Sequence, residues 1–209
     1  MLITSSPAAV GVFQFNMNYI PQFFTWDDPV AVTGIRVEDQ TLGVLCDLDQ
    51  NGLAACTQFM AFGDGVAGRP RQLRLANGHM TGRNVTVTIT QGAAAAVNFF
   101  GASDNAGVDQ APVAFKYQRA AILAGSPLEF RDFSALFLPG MVAGDNVLVT
   151  YDNGHQQTYT GAELLTLAQA YQRSQAAGAI CINNVNSYVR RATVTQGLAG
   201  TAYIMKVNL

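Results

Sequence analysis

At 209 residues the chain is long enough for one large β domain or two small ones, each with a buried core. Its 12 Lys and Arg against 14 Asp and Glu leave a net charge of -2, which excludes a basic protein that coats nucleic acid by bulk electrostatics. Charged residues are only 12% of the chain, about half the usual share, so much of the surface is expected to be covered by other copies of the chain.

In chain order, MLITSSPAAVGVF lacks the positive region of a secretory signal, and no run reaches the roughly 18 apolar residues that span a bilayer. Residues 10–19 read as a strand. Trp26, within Phe23-Phe24-Thr25-Trp26-Asp27-Asp28-Pro29, reads as a core or subunit-contact aromatic, with sugar stacking as the alternative. Residues 44–48 are a second strand, leading into Asp47-x-Asp49-x-Asn51-Gly52, the opening of a calcium-binding loop. Position twelve of that loop wants a bidentate carboxylate and here is Gln58, so the stretch is expected to be a turn without metal. Gly68-Arg69-Pro70-Arg71-Gln72-Leu73-Arg74 is the densest basic stretch. It lacks G-K-[ST], and its arginines suit phosphate, acidic headgroups, a carboxylate across a subunit contact, or plain solvent.

Asn77-Gly78 marks a turn beside His79. Val85-Thr86-Val87-Thr88-Ile89-Thr90 then alternates as a half-buried strand does, which argues against the sequon Asn84-Val85-Thr86 being a glycan acceptor. The stretch 101–112, GASDNAGVDQAP, has no periodicity and reads as a linker. Strands are expected at 113–117, 147–151 and 202–207, with turns at Pro139-Gly140 and Asp152-Asn153-Gly154. Thr160 and Glu163 make a capping box. Leu164, Leu165, Leu167, Ala168 and Tyr171 follow at helical spacing, giving a helix over about 161–176 with Gly178 as its stop. Arg190-Arg191 falls on opposite faces of a strand.

Internal repetition organises the chain. VLCDLDQNG (44–52) matches VLVTYDNG (147–154), VTITQGAAAAV (87–97) matches ATVTQGLAGTA (192–202), and Pro7 matches Pro112, all at an offset of about 105 residues. A tandem duplication follows, with a first barrel at 1–104, a linker at 105–112 and a second barrel at 113–209. Residues 87–92 and 192–197 should then occupy equivalent strands. Cys46, Cys56 and Cys181 show no CxxC spacing and read as buried reduced thiols. His79 and His155 each sit beside a glycine turn with no nucleophile in a recognisable elbow. No residue is assigned a catalytic, cofactor-binding or metal-binding role, and the chain does not read as an enzyme.

The stretch DNVLVTYDNGHQQTYTGAELLTLAQAYQRS (145–174), a strand, a turn and then a helix over the sheet, resembles the double jelly-roll capsid proteins of adenoviruses and membrane-containing icosahedral phages of the corticovirus type. VLCDLDQNGLAACTQFMAFG (44–63) would be its partner, with a shorter or degenerate helix. The resemblance implies an all-β chain of two tandem jelly-roll barrels with one short α-helix in the second half. It further implies a homotrimer with six barrels that tiles an icosahedral shell, often above an internal lipid membrane. Its partners would be copies of itself, minor capsid proteins and that membrane, with no sequence-specific nucleic acid. Its place would be the virion, assembled in the host cytoplasm. The alternative is a carbohydrate-binding β-sandwich of a phage fibre or lectin, with Trp26, Tyr117, Tyr151 and Tyr159 as stacking rings.

Overall fold

The computed structural model describes residues 1–26, 32–60, 71–77, 80–101, 113–171, 180–183 and 189–208. The chain divides into two compact units, Met1–Gln118 with Val207–Leu209, and Arg119–Lys206.

The first unit begins with β1 (Leu2–Ser5), β2 (Gly11–Ile20), β3 (Phe23–Trp26), β4 (Val32–Asp39) and β5 (Gly43–Asp49), followed by α1 (Gln50–Met60). It continues through β6 (Arg71–Arg74), β7 (Ala76–Asn77), β8 (Met80–Gln91) and β9 (Val97–Phe100). Strand β8 shows why these sequences pair: Val85, Val87 and Ile89 are fully buried, while Thr86, Thr88 and Thr90 alternate away from the core. Two sheets result, ordered β1-β9-β3-β6 and β2-β8-β4-β5. Successive strands mostly change sheet, which is the jelly-roll solution to burying one face of every strand. Phe24 packs on Trp26 and Phe99 with ring centroids 5.2 and 5.6 Å apart, and all three are fully buried.

Strand β10 (Val113–Ile122) starts in the first unit, where Tyr117 lies parallel to Cys46 of β5 and residues 113–114 pair antiparallel with β7. Its end opens the second unit, which continues through β11 (Leu128–Arg131), β12 (Ala135–Leu138), β13 (Asn146–Tyr151) and β14 (Gln156–Thr160). Then come α2 (Gly161–Tyr171), β15 (Ile180–Asn183), β16 (Val189–Thr195) and β17 (Gly200–Asn208). The strands order as β15-β12-β17-β10 and β11-β16-β13-β14. Ile122, Phe130, Leu136, Leu138, Val147, Val149 and Val194 are among the residues of this unit's core.

The two orders are the same order. Replacing β1, β2, β3, β4, β5, β6, β8 and β9 by β10 to β17 in sequence turns one pair of sheets into the other. The chain is therefore all-β and carries the double jelly-roll arrangement. Residues 87–91 on β8 and 192–195 on β16 hold equivalent strands, as the Thr-Gln-Gly recurrence led us to expect.

The other two repeat matches are overturned. Residues 43–49 form the fifth strand of their unit, whereas 146–151 form the fourth of theirs, so the Val-Leu and Asn-Gly likeness joins unlike places. Pro7 lies between β1 and β2, but Pro112 precedes β10 and so cannot match it. Asn51-Gly52 is not a turn either. It lies in the first turn of α1, a second helix as long as α2, so the first half has a full helix and not a degenerate one. Helix α2 starts where the capping box puts it and is described to Tyr171; Gly178 and the expected linker 105–112 lie outside the described residues. Leu164 and Leu165 pack against the second core, while the side chains of Leu167, Ala168 and Tyr171 lie outside the described set.

Candidate assembly surfaces

The acidic stretch at 47–52 is used up by the fold. The Gly52 N–H donates to Asp49 Oδ1 (2.9 Å), which makes Asp49 the N-cap of α1. Asp47 faces Arg36, with Nη1 and Oδ2 3.5 Å apart. Among the described residues no three His, Cys, Asp or Glu side chains gather in a way that could hold a metal ion. Cys46 and Cys56 are buried free thiols, and burial pushes the Cys46 thiol well above its ordinary range.

The other candidates scatter. His79 and Arg69 lie outside the described residues. His155 sits in the β13–β14 hairpin, its N–H donating to Asn153 Oδ1 (2.9 Å) and its ring stacked on Tyr151. Arg71 and Arg74 stand on β6, and the Arg74 carbonyl accepts from the Tyr117 hydroxyl (2.8 Å). Arg191 bridges Glu129 (3.1 Å) and Thr150 Oγ1 (3.1 Å), while Arg190 is exposed. Asn84 has φ 51°, a left-handed position that asparagine tolerates at a strand irregularity.

Of the rings proposed to stack on sugar, Trp26 and Tyr117 are fully buried and belong to the core. Tyr151 and Tyr159 remain partly exposed and are joined hydroxyl to hydroxyl at 3.0 Å. That bond and burial raise the Tyr159 pKa to about 12. Beside Tyr159 runs an open groove of about 470 Å³ lined by Gln157, Ala162, Glu163 and Thr166.

What both units do present is a set of locked, charge-free loops. In the second unit Asp145 is buried, and its carboxylate accepts the Val142 N–H on Oδ2 and the Gly197 N–H on Oδ1, each at 2.8 Å. Its carbonyl accepts the Gly161 N–H (2.7 Å), Ala143 accepts Ala162 (3.2 Å), and the Gly125 N–H reaches the Gln196 carbonyl (2.7 Å). Four connections are thereby tied into one cap: 123–127, 139–145, the α2 start and 196–199. Gly161 is obligatory there, because a Cβ would stand 1.9 Å from the Val142 carbonyl oxygen. From this cap Leu123, Val142 and Leu198 project, 68%, 50% and 72% exposed. Apart from buried Asp145, the loops 123–127, 139–145 and 196–199 contain no charged residue.

The first unit repeats the device with other atoms. Buried Gln91 donates from Nε2 to Ser6 Oγ (3.0 Å) and to the Ala95 carbonyl, while the Val97 N–H donates to Ser6 Oγ (2.9 Å). This ties 6–10 to 92–96, and Val10 is exposed at the tip. Gln91 and Gln196 are the glutamines of the recurring Thr-Gln-Gly, both buried. The recurrence was legible in the sequence but not the burial behind it: the Gln91 side chain closes the turn after the seventh jelly-roll strand, while at Gln196 the backbone carbonyl takes the tie to Gly125. Rigid apolar tips of this kind suit contact with another surface and offer nothing for acid–base or nucleophilic work.

Comparison with solved structures gives the same fold. The major capsid protein P2 from bacteriophage PM2 matches with a TM-score of 0.57 at 11% identity, over 98% of this chain and 92% of that one. The STIV MCP matches with a TM-score of 0.63 at 9% identity, over 98% of this chain and 94% of that one. PBCV-1 VP54, from its fit into the virophage Sputnik, matches with a TM-score of 0.54 at 8% identity, over 99% and 92%. No family model and no curated protein sequence matches the chain. The fold is that of the double jelly-roll major capsid proteins, across nearly the whole chain.

Proposed function

We propose that the chain is a structural coat protein that assembles with copies of itself into a viral shell. The observation that carries this reading is the full-length likeness of both barrels, in order, to major capsid proteins. Charge poverty and locked apolar loop tips support it, since both leave a monomer with surface that needs covering. The finer reading is a homotrimer whose six barrels, at 1–104 and 113–209 of each copy, make a pseudo-hexagonal tile of an icosahedral shell in the virion of a phage. Minor capsid proteins and an internal membrane would be its further neighbours. The protein would work by geometry, with no catalysis, cofactor or metal.

No helix among the described residues is long and apolar enough to cross a membrane. Carbohydrate binding keeps only Tyr151 and Tyr159 of its four rings, and a glycan array with Tyr159→Ala as control addresses it. The main test is negative-stain microscopy of the purified protein. Hexagonal tiles or shells are expected; a field of isolated small particles at high concentration contradicts the coat reading.

A further inference from the structure

The two units differ at one sheet edge, and the difference indicates how copies join. In each unit the fifth jelly-roll strand lies at the edge of its sheet and leads into the helix. In the first unit that strand, β5, does not end the hydrogen bonding. Residues 113–118, which belong to the same unit, run parallel to it, with Tyr117 opposite Cys46. In the second unit the equivalent strand is β14, and among the described residues it pairs only with β13.

The exposed edge of β14 can be read from its ladder. The Tyr151 N–H donates to the His155 carbonyl (2.9 Å), so the narrow hydrogen-bonded pairs fall at 149/157 and 147/159. The N–H groups of Gln156 and Thr158 therefore point away from β13. The strand reads Gln-Gln-Thr-Tyr-Thr, with none of the charges or prolines that protect a free edge. Along it runs the groove lined by Gln157, Tyr159, Ala162, Glu163 and Thr166. Gln157 stands three residues before the helix cap Thr160, as Cys46 stands three before the cap Asp49. The groove thus opens at the register that β10 fills in the first unit.

The internal repeat also says what should fill it. Beyond residues 113–118, β10 continues as the first strand of the second jelly roll, and the strand that holds this place in the first is β1. β1 pairs only with β9 among the described residues, so one of its edges is open, and Met1 and Leu2 are exposed beside it. We infer that β14 of one copy takes β1 of a second copy as a parallel strand, repeating between chains the contact that β5 makes with β10. The contact is heterologous, since unlike edges meet, and a heterologous contact that closes makes a ring. It rests on the coat reading above and names its joint. Backbone pairing supplies the affinity, and the groove beside Tyr159 receives an apolar side chain from Leu2 or Ile3.

The test has two arms on the full-length chain. In the first, sedimentation compares wild type with Thr158→Pro, which removes an outward N–H at an edge where proline is tolerated. Wild type should sediment as a closed assembly and the variant as a monomer with wild-type circular dichroism. In the second, Thr158→Cys protein is mixed with Leu2→Cys, Ile3→Cys or Thr4→Cys protein and oxidised. Disulfide-linked dimers should form in at least one mixture and in none of the singly substituted proteins alone. If Thr158→Pro fails to fold, the second arm decides. An assembled wild type with no cross-link in any mixture overturns this joint and leaves the coat reading standing. An assembled, folded Thr158→Pro protein does the same, whereas a wild type monomeric at every concentration overturns both.

Discussion

The two jelly rolls share every step of their strand order and almost none of their locking atoms. In the first unit, buried Asp39 folds back on its own turn, accepting the N–H groups of Thr41 and Leu42 at 2.8 Å each. In the second, the buried aspartate is Asp145, one connection earlier, and it ties two separate loops. Helix α1 starts on the cap Asp49; α2 starts on a reciprocal box, Thr160 with Glu163, plus a glycine pressed against the Val142 carbonyl. Topology is thus what the two units share, because every strand must bury one face. Caps and loop ties can be exchanged whenever the same N–H groups find some acceptor.

Substitutions that strike one unit and spare the other sharpen that contrast. The largest effect is expected for Gly161→Ala, whose Cβ meets backbone at 1.9 Å and cannot be relieved by a side-chain shift. A loss of at least about 3 kcal/mol is expected in the second unit by denaturant unfolding. Gln50→Ala, at the equivalent first helical position of α1, should cost well under ~1 kcal/mol. Next comes Asp145→Ala, which orphans two N–H groups and unties the cap, at about 2–4 kcal/mol. Hydrogen exchange should rise at both Val142 and Gly197. Asp39→Ala should cost less and raise exchange at Thr41 and Leu42.

Removal of the caps comes third, and here the units should respond alike. Asp49→Ala and Thr160→Ala are each expected to cost about 1 kcal/mol, read as lost protection in the first turns of α1 and α2 respectively. The smallest effect is a pH response confined to α2. Hydrogen bonds from Thr160 N–H and Oγ1 lower the Glu163 pKa from 4.5. A carboxylate held lower in the folded state contributes stability above its unfolded value and loses it as pH falls through the folded one. The first turn of α2 should therefore loosen on acidification below about 4.5, and amide shifts near Thr160 followed by NMR should lose that step in Glu163→Gln. Helix α1, capped without a glutamate, should show no counterpart.

Much of this was legible in the sequence, and the parts that were not have a common cause. Alternation at 85–90 and the box at Thr160 and Glu163 stand in one-to-one relation with strand and helix start, so both were found in place. The stretch 47–52 was not, because a short acidic side chain accepts N–H groups equally in a hairpin and at a helix cap. Asp49 chose the cap, and the sequence signature is the same for either. That ambiguity also produced the false match between 44–52 and 147–154, while the true repeat rested on glutamines whose burial no local pattern reveals. Trp26 stands in the core, as its apolar neighbours led us to expect, whereas the burial of Tyr117 was not legible, because exposure is decided by the opposite sheet and not by neighbours in sequence. The β14 edge was invisible because an edge is a property of strand order.

Native mass spectrometry of the purified chain across a concentration series reads the assembly itself. A smallest stable assembly of three chains, each of 22.3 kDa, is expected, with larger species in multiples of that trimer. A single 22.3 kDa species persisting at every concentration would contradict it.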